Sequence, residues 1–91
     1  MSRTLLATPE LRVVLFTFAA GQELTEHTST SRALIQVLSG DGEFTTGDDK
    51  RTLKAGDLLH LPPGMRHAVN AKSEMTMLLT LAPERKENRP A

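Results

Sequence analysis

The sequence predicts an all-β domain, either an antiparallel sandwich or a barrel. Short runs of aliphatic and β-branched residues alternate with turn dipeptides along the 91-residue chain, and this spacing is typical of antiparallel sheets. No segment has the three-to-four spacing of apolar residues that a surface helix needs. A chain of this length buries only about 60–68% of its unfolded surface, so we expect a single core.

The first half of the chain predicts a long strand, an irregular edge segment and a second strand. Residues 11–20 are β-branched and aromatic and end at Gly21, which favours a buried strand. Residues 22–31 are polar and rich in Thr and Ser, which indicates an edge strand or a loop. Residues 33–38 form the next strand, and the glycines that follow permit a tight reversal of the chain.

The second half predicts a hairpin followed by three shorter strands. The hairpin closes around the polar residues 47–50, and the last turn is expected at Lys72, Ser73 and Glu74. The predicted strands are residues 43–46, 51–53, 58–61, 67–71 and 75–81.

The barrel domain is expected to cover residues 1–82, followed by a flexible tail at residues 83–91. Residues 84–87 have helical composition, but they lie between Pro83 and Pro90 and are too few to hold a helix alone. Terminal segments that are not tied to a core are poorly ordered. We therefore expect one domain and a C-terminal tail.

Charge and composition exclude several classes of partner. Eleven basic and eleven acidic residues give a formal net charge of zero, which argues against binding of nucleic acid or of an anionic membrane. The chain has three Phe and no Trp, Tyr or Cys, so a disulfide framework and a thiolate zinc site are excluded. No apolar run approaches the roughly 20 residues that cross a bilayer, and a secretion signal is not evident, so a cytoplasmic location is expected.

The most informative segment runs from Gly56 to His67. A turn dipeptide precedes a short apolar strand, and Pro62, Pro63 and Gly64 then fix a bend that the interior of a strand would not accept. His67 follows this bend at the start of the next strand. The pattern predicts that His67 lies at the mouth of a small β-barrel, where ligand pockets commonly lie.

This segment resembles the second motif of the cupin superfamily, and the resemblance extends over residues 13–81. The glycine, proline, glycine and histidine of that motif match Gly56, Pro62, Gly64 and His67. The resemblance implies a double-stranded β-helix, a jelly-roll barrel of two packed antiparallel sheets.

The first cupin motif matches only in part. Gly21, His27 and Gly40 are in register, but the second histidine of the motif falls on Ser29 and its glutamate falls on Ala33. Two of the four metal ligands that the resemblance implies are therefore missing.

The remaining side chains offer a reduced set of metal ligands. A catalytic metal generally needs about three protein ligands with one open position, whereas His27 and His67 supply two and Ser29 only a weak neutral hydroxyl. His60 is a candidate third ligand, because it lies seven residues before His67 on the other arm of the same hairpin. The alternative metal site is therefore His27, His67 and His60, holding iron, nickel, manganese or zinc.

Two neighbours of His67 also have alternative roles. Arg66 either binds an anionic ligand at the rim of the barrel or is a surface charge. Met65 is expected to form part of the adaptable apolar wall of the cavity.

The favoured function is the binding of a small organic ligand in the barrel cavity. In this hypothesis His27, Ser29 and His67 provide the polar contacts, and no cofactor is tightly bound. A metal-dependent dioxygenase or isomerase, of the kind that similar proteins are, is the first alternative. A protein-interaction barrel with a filled cavity is the second. We also expect a homodimer, with the strand over residues 11–18 as one interface element.

Overall fold

The computed structural model describes residues 1–83, and these residues form nine β-strands and no helix. The expectation of an all-β chain is therefore confirmed, and none of the described residues lies in a helix that could cross a membrane. In chain order the strands are β1 (Ser2–Ala7), β2 (Arg12–Phe18), β3 (Glu23–His27), β4 (Ser31–Ser39), β5 (Asp41–Thr46), β6 (Asp49–Lys54), β7 (Leu58–Leu61), β8 (His67–Ala71) and β9 (Met75–Pro83).

The strands form two antiparallel sheets that pack face to face. One sheet has five strands in the order β1-β2-β9-β4-β7, and the other has four in the order β3-β8-β5-β6. Consecutive strands alternate between the sheets in the second half of the chain, which is the arrangement of a double-stranded β-helix. The predicted fold is confirmed.

Alternation of apolar residues along the strands builds the core between the two sheets. In β4, Ala33, Ile35 and Val37 are buried while the residues between them are exposed, as the two-residue period of a pleated strand requires. Residues from both sheets complete this core, chiefly Phe18, Phe44, Leu53, Leu59, Leu61, Val69, Ala71, Met75 and Met77.

The first strand was not predicted from the sequence. All six residues of β1 are exposed, so they lack the alternation of buried and exposed positions from which a strand is predicted. The strand is held instead by its pairing with β2, along the outer edge of the five-stranded sheet. Tertiary pairing, which no local pattern records, explains the difference.

The structure gives more exact bounds for two other predicted elements. The polar segment 22–31 contains an edge strand, β3, which pairs on one side with β8 and has an irregularity in its register. The last strand extends to Pro83, one residue beyond the predicted domain boundary. The rest of the predicted tail, residues 84–91, lies outside the described residues.

Candidate functional site

A pocket of about 260 Å³ opens between the two sheets at one end of the barrel. The interior farther from this mouth is filled by buried side chains such as Phe44, Met75 and Met77. The pocket is lined by apolar residues from β4, β7 and β9 and by polar residues from β3, β8 and the loop between β3 and β4. These residues include His27, Ser29, Ala33, Met65, His67 and Leu81.

His27 and His67 form the polar side of the pocket. They are direct partners in the pairing of β3 with β8, and an irregularity in register between Leu24 and His27 precedes the pair. Their ring centroids lie 4.2 Å apart, and the ring planes meet at 65°. The predicted convergence of the two imidazoles inside the barrel is therefore observed in the structure.

Each of the two rings is oriented by a backbone carbonyl two residues before it. Nδ1 of His27 donates to the Thr25 carbonyl at 2.8 Å, and Nδ1 of His67 donates to the Met65 carbonyl at 3.0 Å. A carbonyl can only accept, so both neutral rings carry their proton on Nδ1. Each Nε2 consequently keeps a lone pair that can accept a hydrogen bond or bind a metal.

His67 is the more enclosed member of the pair. Only 9% of its surface is exposed, and this burial lowers its pKa below the usual value of 6.5. The hydrogen bond to the Met65 carbonyl opposes the shift, while the nearby His27 ring adds to it. Neutral His67 is therefore favoured at physiological pH.

The turn from Pro62 to Gly64 joins the two motif segments. Gly64 has a φ of +84°, a left-handed conformation that residues with a Cβ rarely adopt. Its N–H donates to the carbonyl of Ser29 at 2.8 Å. The bend before His67 thereby holds the loop after His27, and the positive φ is the feature that favours glycine at this position of the motif.

Ser29 and Ala33 also line the pocket, as the motif register predicts. The hydroxyl of Ser29 accepts from the backbone N–H of Ser31 at 3.1 Å and still has its own proton to donate. Ala33 is 2% exposed and presents a methyl group. The position at which the motif has a glutamate therefore belongs to the apolar wall.

His60 does not join the other two histidines. It lies on β7 between the buried residues Leu59 and Leu61, so its side chain points out of the barrel. There its Nε2 accepts a hydrogen bond from Nη1 of Arg32 at 2.8 Å. The hypothesis of a site formed by His27, His67 and His60 is wrong for this reason, because a side chain of opposite parity cannot reach the pocket.

Arg66 lies outside the pocket. Its guanidinium is 3.8 Å from the carboxylate of Asp48, and both side chains are largely exposed. Of its two predicted roles, the surface charge fits this placement. Met65 lines the pocket wall as expected.

The donor set does not fit the divalent metal that the first motif implies. Two imidazoles and a hydroxyl face the pocket, and among the described residues no group of three or more His, Cys, Asp or Glu side chains is placed to hold a metal ion. The site lacks the three strong ligands that such an ion generally needs.

Sequence reasoning did not identify the opposite wall of the pocket. Leu79 and Leu81 of β9 face the two histidines from the other sheet, although they lie more than ten residues after His67 in the chain. The two-residue alternation along β9 could have predicted this wall. Leu79 and Leu81 lie on the same face of the strand as Met75 and Met77, and the residues between them lie on the opposite face. The carbonyl groups that orient the two imidazoles belong to the backbone, so no pattern of side chains predicts them.

Comparison with known proteins supports this fold. The family model described as a cupin domain matches residues 14–82. Among solved structures, an RmlC-like cupin from Desulfovibrio desulfuricans is 35% identical, with 91% of this chain and 81% of that chain covered and a TM-score of 0.84. A search of curated proteins found no match.

Two further solved structures are similar over nearly the whole chain. A conserved protein of unknown function from Streptococcus pyogenes is 30% identical, covering 93% of this chain and 75% of its own, with a TM-score of 0.87. A cupin superfamily protein from Desulfitobacterium hafniense is 27% identical, covering 92% of this chain and 77% of its own, with a TM-score of 0.89.

Proposed function

The chain belongs to the cupin family, and on this premise we propose that it binds a small organic molecule in the pocket beside His27 and His67. The proposal includes no tightly bound divalent metal. The observation that carries it is the pair of histidines lining a largely apolar pocket, each with Nδ1 bonded to a backbone carbonyl and therefore an acceptor lone pair on Nε2.

The chemistry of the lining defines the ligand class. Two neutral acceptor nitrogens match a ligand that carries two adjacent hydrogen-bond donors at one end, with the Ser29 hydroxyl as an additional partner. The aliphatic wall of Ala33, Leu79 and Leu81 matches an apolar body at the other end. A volume of about 260 Å³ is below the range of about 300–1,000 Å³ typical of drug-sized ligands, so the ligand is small.

Charged ligands fit the pocket less well. Among the described residues, no Asp, Glu, Lys or Arg lines it, and burial keeps His67 neutral by lowering its pKa. An ion entering this pocket would lose hydration without gaining an opposite charge. We therefore propose a neutral ligand such as a diol or a catechol-like molecule.

Matched pairs of small molecules test this proposal. Catechol and cyclohexane-1,2-diol are compared with their dimethyl ethers by ligand-observed NMR at pH 8. Methylation removes the donors and leaves the ring nitrogens unpaired, which costs about 1–3 kcal/mol, so the ethers are expected to bind at least about fivefold more weakly.

Histidine variants locate the binding. Combined His27→Ala and His67→Ala substitutions are expected to abolish the preference for the diols, whereas His60→Ala on the outer face leaves it unchanged. Equal binding of diols and ethers, or a preference that persists in the double variant, contradicts the proposal.

We also propose that the protein forms a homodimer through the outer face of the five-stranded sheet. Strands β1, β2, β4, β7 and β9 contain no Asp or Glu. Their outward side chains include Val13, Leu15, Leu34, Leu38, Leu58 and Leu78. The pairing places Leu15 beside Leu78 and Leu34 beside His60, so these residues form one continuous face.

The area of this face suits a second copy of the chain. Five strands about 4.8 Å apart and seven residues at about 3.3 Å each give a face of roughly 550 Å². Two such faces bury about 1,100 Å² in total, which reaches the roughly 1,000 Å² expected of a biological interface. Leu34 and Leu58 are 40% and 63% exposed, and pairing of two copies would remove this apolar surface from water. This proposal keeps the strand over residues 11–18 as one interface element and adds β4 and β7 to it.

A further inference from the structure

Arg12 continues a row of side chains that lines the pocket. In the order of the strands, the row consists of Leu61 on β7, Ala33 on β4, Leu81 on β9 and Arg12 on β2, each paired directly with the next. Directly paired residues of neighbouring strands project from the same face of a sheet, and the first three members of the row line the pocket. Neighbouring strands are about 4.8 Å apart, so Arg12 lies at the rim, one strand beyond the apolar wall.

We infer that Arg12 is a rim site for a carboxylate, which the ligand carries at the end opposite its hydrogen-bond donors. This inference rests on the proposed function and extends it. The neutral, donor-bearing part of the ligand enters the pocket, and the acidic group stays outside it. Among ligands of the proposed class, those with such a carboxylate are therefore preferred.

Arg12 departs from the apolar pattern of the face on which it lies. Strands β2, β4, β7 and β9 contain two arginines and no lysine or acidic residue. Arg32 alternates with the buried Ala33 and Ile35 and lies on the outer face, so Arg12 is the arginine that these strands place on the inner face. Positions that break the pattern of a strand are expected at functional sites.

No carboxylate of residues 1–83 neutralises Arg12. The ion pairs formed between these residues do not include it. Glu26, the acidic residue that precedes His27, borders a separate cleft together with Ala68 and Asn70, on the outer face of the four-stranded sheet. The guanidinium of Arg12 is therefore available to an anion at the rim.

The chemistry of a guanidinium selects a carboxylate. Its planar fork of N–H donors matches the two oxygens of a carboxylate in a bidentate pair. One positive charge offsets one negative charge, whereas a doubly charged phosphate would keep an excess. Arg12 is exposed, so a carboxylate bound there keeps part of its hydration and avoids the desolvation cost of entering the uncharged pocket.

The position of Arg12 also defines the shape of the ligand. A ring packed on Leu81 has the two histidines opposite it on the other sheet and Arg12 beside it on the same sheet. The carboxylate must therefore stand away from the ring on a short spacer, because Arg12 lies one strand beyond the wall. A catechol that carries a propanoate side chain has this arrangement.

That compound, dihydrocaffeate, and its methyl ester test the rim site. The two molecules share the diol, the ring and the spacer, and they differ in the negative charge. Their affinities for the full chain are measured by ligand-observed NMR titration at pH 8 and low ionic strength. We expect the acid to bind about fivefold more tightly than the ester, the upper end of what an exposed ion pair contributes, and we expect added salt to reduce this advantage.

Two arginine variants locate the effect. Arg12→Gln keeps a polar side chain at the rim and removes its charge, so this variant is expected to bind the acid and the ester equally. Arg66→Gln is the matched control. Arg66 is also an exposed arginine and precedes His67 in the chain, but it lies outside the pocket, so this variant should retain the advantage of the acid.

Two results would overturn the inference: equal affinity of the wild-type chain for acid and ester, or an advantage of the acid that persists in Arg12→Gln. The ester alone reports on the diol. An ester that binds no more tightly than its dimethoxy analogue contradicts the proposed function, and the inference with it. Failure of the rim site and failure of the proposed function are therefore distinguishable.

Discussion

The rings of His27 and His67 lie with their centroids 4.2 Å apart, and each ring donates its Nδ1 proton to the carbonyl of the residue two positions before it. This shared geometry leaves an acceptor lone pair on Nε2 of each ring, and both residues line the pocket. It explains how the site keeps a defined chemistry although Ser29 and Ala33 have replaced two metal ligands of the motif.

The stability of the fold is expected to depend on the protonation of His67. Burial lowers the native pKa of His67 below the unfolded value of 6.5, so the unfolded chain binds more protons between these two values. The contribution of neutral His67 is complete above pH 6.5 and is lost as the pH falls through the lowered native pKa. Urea unfolding between pH 8 and pH 5 measures this loss.

A variant assigns that loss to His67. In His67→Asn the amide nitrogen can still donate to the Met65 carbonyl but does not titrate, so the decrease in the free energy of unfolding with falling pH is expected to shrink. His60→Asn, on the exposed face, should retain the decrease. An unchanged pH dependence in His67→Asn argues against this assignment.

Restoring the missing ligands is expected to create a site for a divalent metal. Combined Ser29→His and Ala33→Glu substitutions place an imidazole and a carboxylate in the pocket beside His27 and His67, which completes four ligands. We expect the bound Zn(II) or Mn(II) to rise from substoichiometric to about one ion per chain after dialysis, measured by elemental analysis.

The control for this prediction substitutes a residue of β4 whose side chain lies on the opposite face of the strand from Ala33. Gln36→Glu combined with Ser29→His places its carboxylate on the outside of the same strand and should gain no stoichiometric metal. Equal metal content in the two double variants would show that pocket geometry does not determine binding.

Gly64→Ala is expected to destabilise the protein by about 1–2 kcal/mol, the cost of a Cβ in the left-handed region. The φ of +84° and the empty space around the position make this a backbone effect without steric overlap. Gly64→Asn should cost less, because Asn tolerates this conformation better. Equilibrium unfolding in urea measures both variants, and an equal cost for Ala and Asn would contradict the conformational explanation.

Charges on the outer sheet face are expected to separate the dimer. Leu34→Glu combined with Leu58→Glu places two carboxylates at the proposed interface, where burial without a partner is costly. Sedimentation velocity at micromolar concentration should give a dimer for wild type and a monomer for this variant. Thr52→Glu, on the outer face of the other sheet, should remain dimeric, and a monomeric wild-type protein would refute the interface.

The fold and the pair His27 and His67 were predictable because their signals are local. The alternation in β4 and the spacing of Gly56, Pro62, Gly64 and His67 each lie within a dozen residues, so the sequence records them directly. The register of the first motif also placed Ser29 and Ala33 at the pocket.

Other features depend on pairing between distant strands. β1 is exposed along its whole length, and within residues 1–83 the strand it pairs with is β2. Whether the side chain of His60 points to the same face as that of His67 depends on the bend from Pro62 to Gly64. The two-residue alternation of a strand does not continue through this bend. The wall from β9 becomes part of the site only after the two sheets close. These long-range relationships explain why the third histidine was misplaced and the opposite wall missed.

The most direct test of the proposed ligand site is a nitrogen-resolved NMR spectrum of the histidine rings, recorded with 15N-labelled protein at pH 8 before and after addition of catechol. We expect a proton on Nδ1 and a lone pair on Nε2 in both His27 and His67, and a shift of both Nε2 signals with catechol but not with its dimethyl ether. Protonated Nε2 atoms, or Nε2 signals that do not respond to catechol, would contradict it.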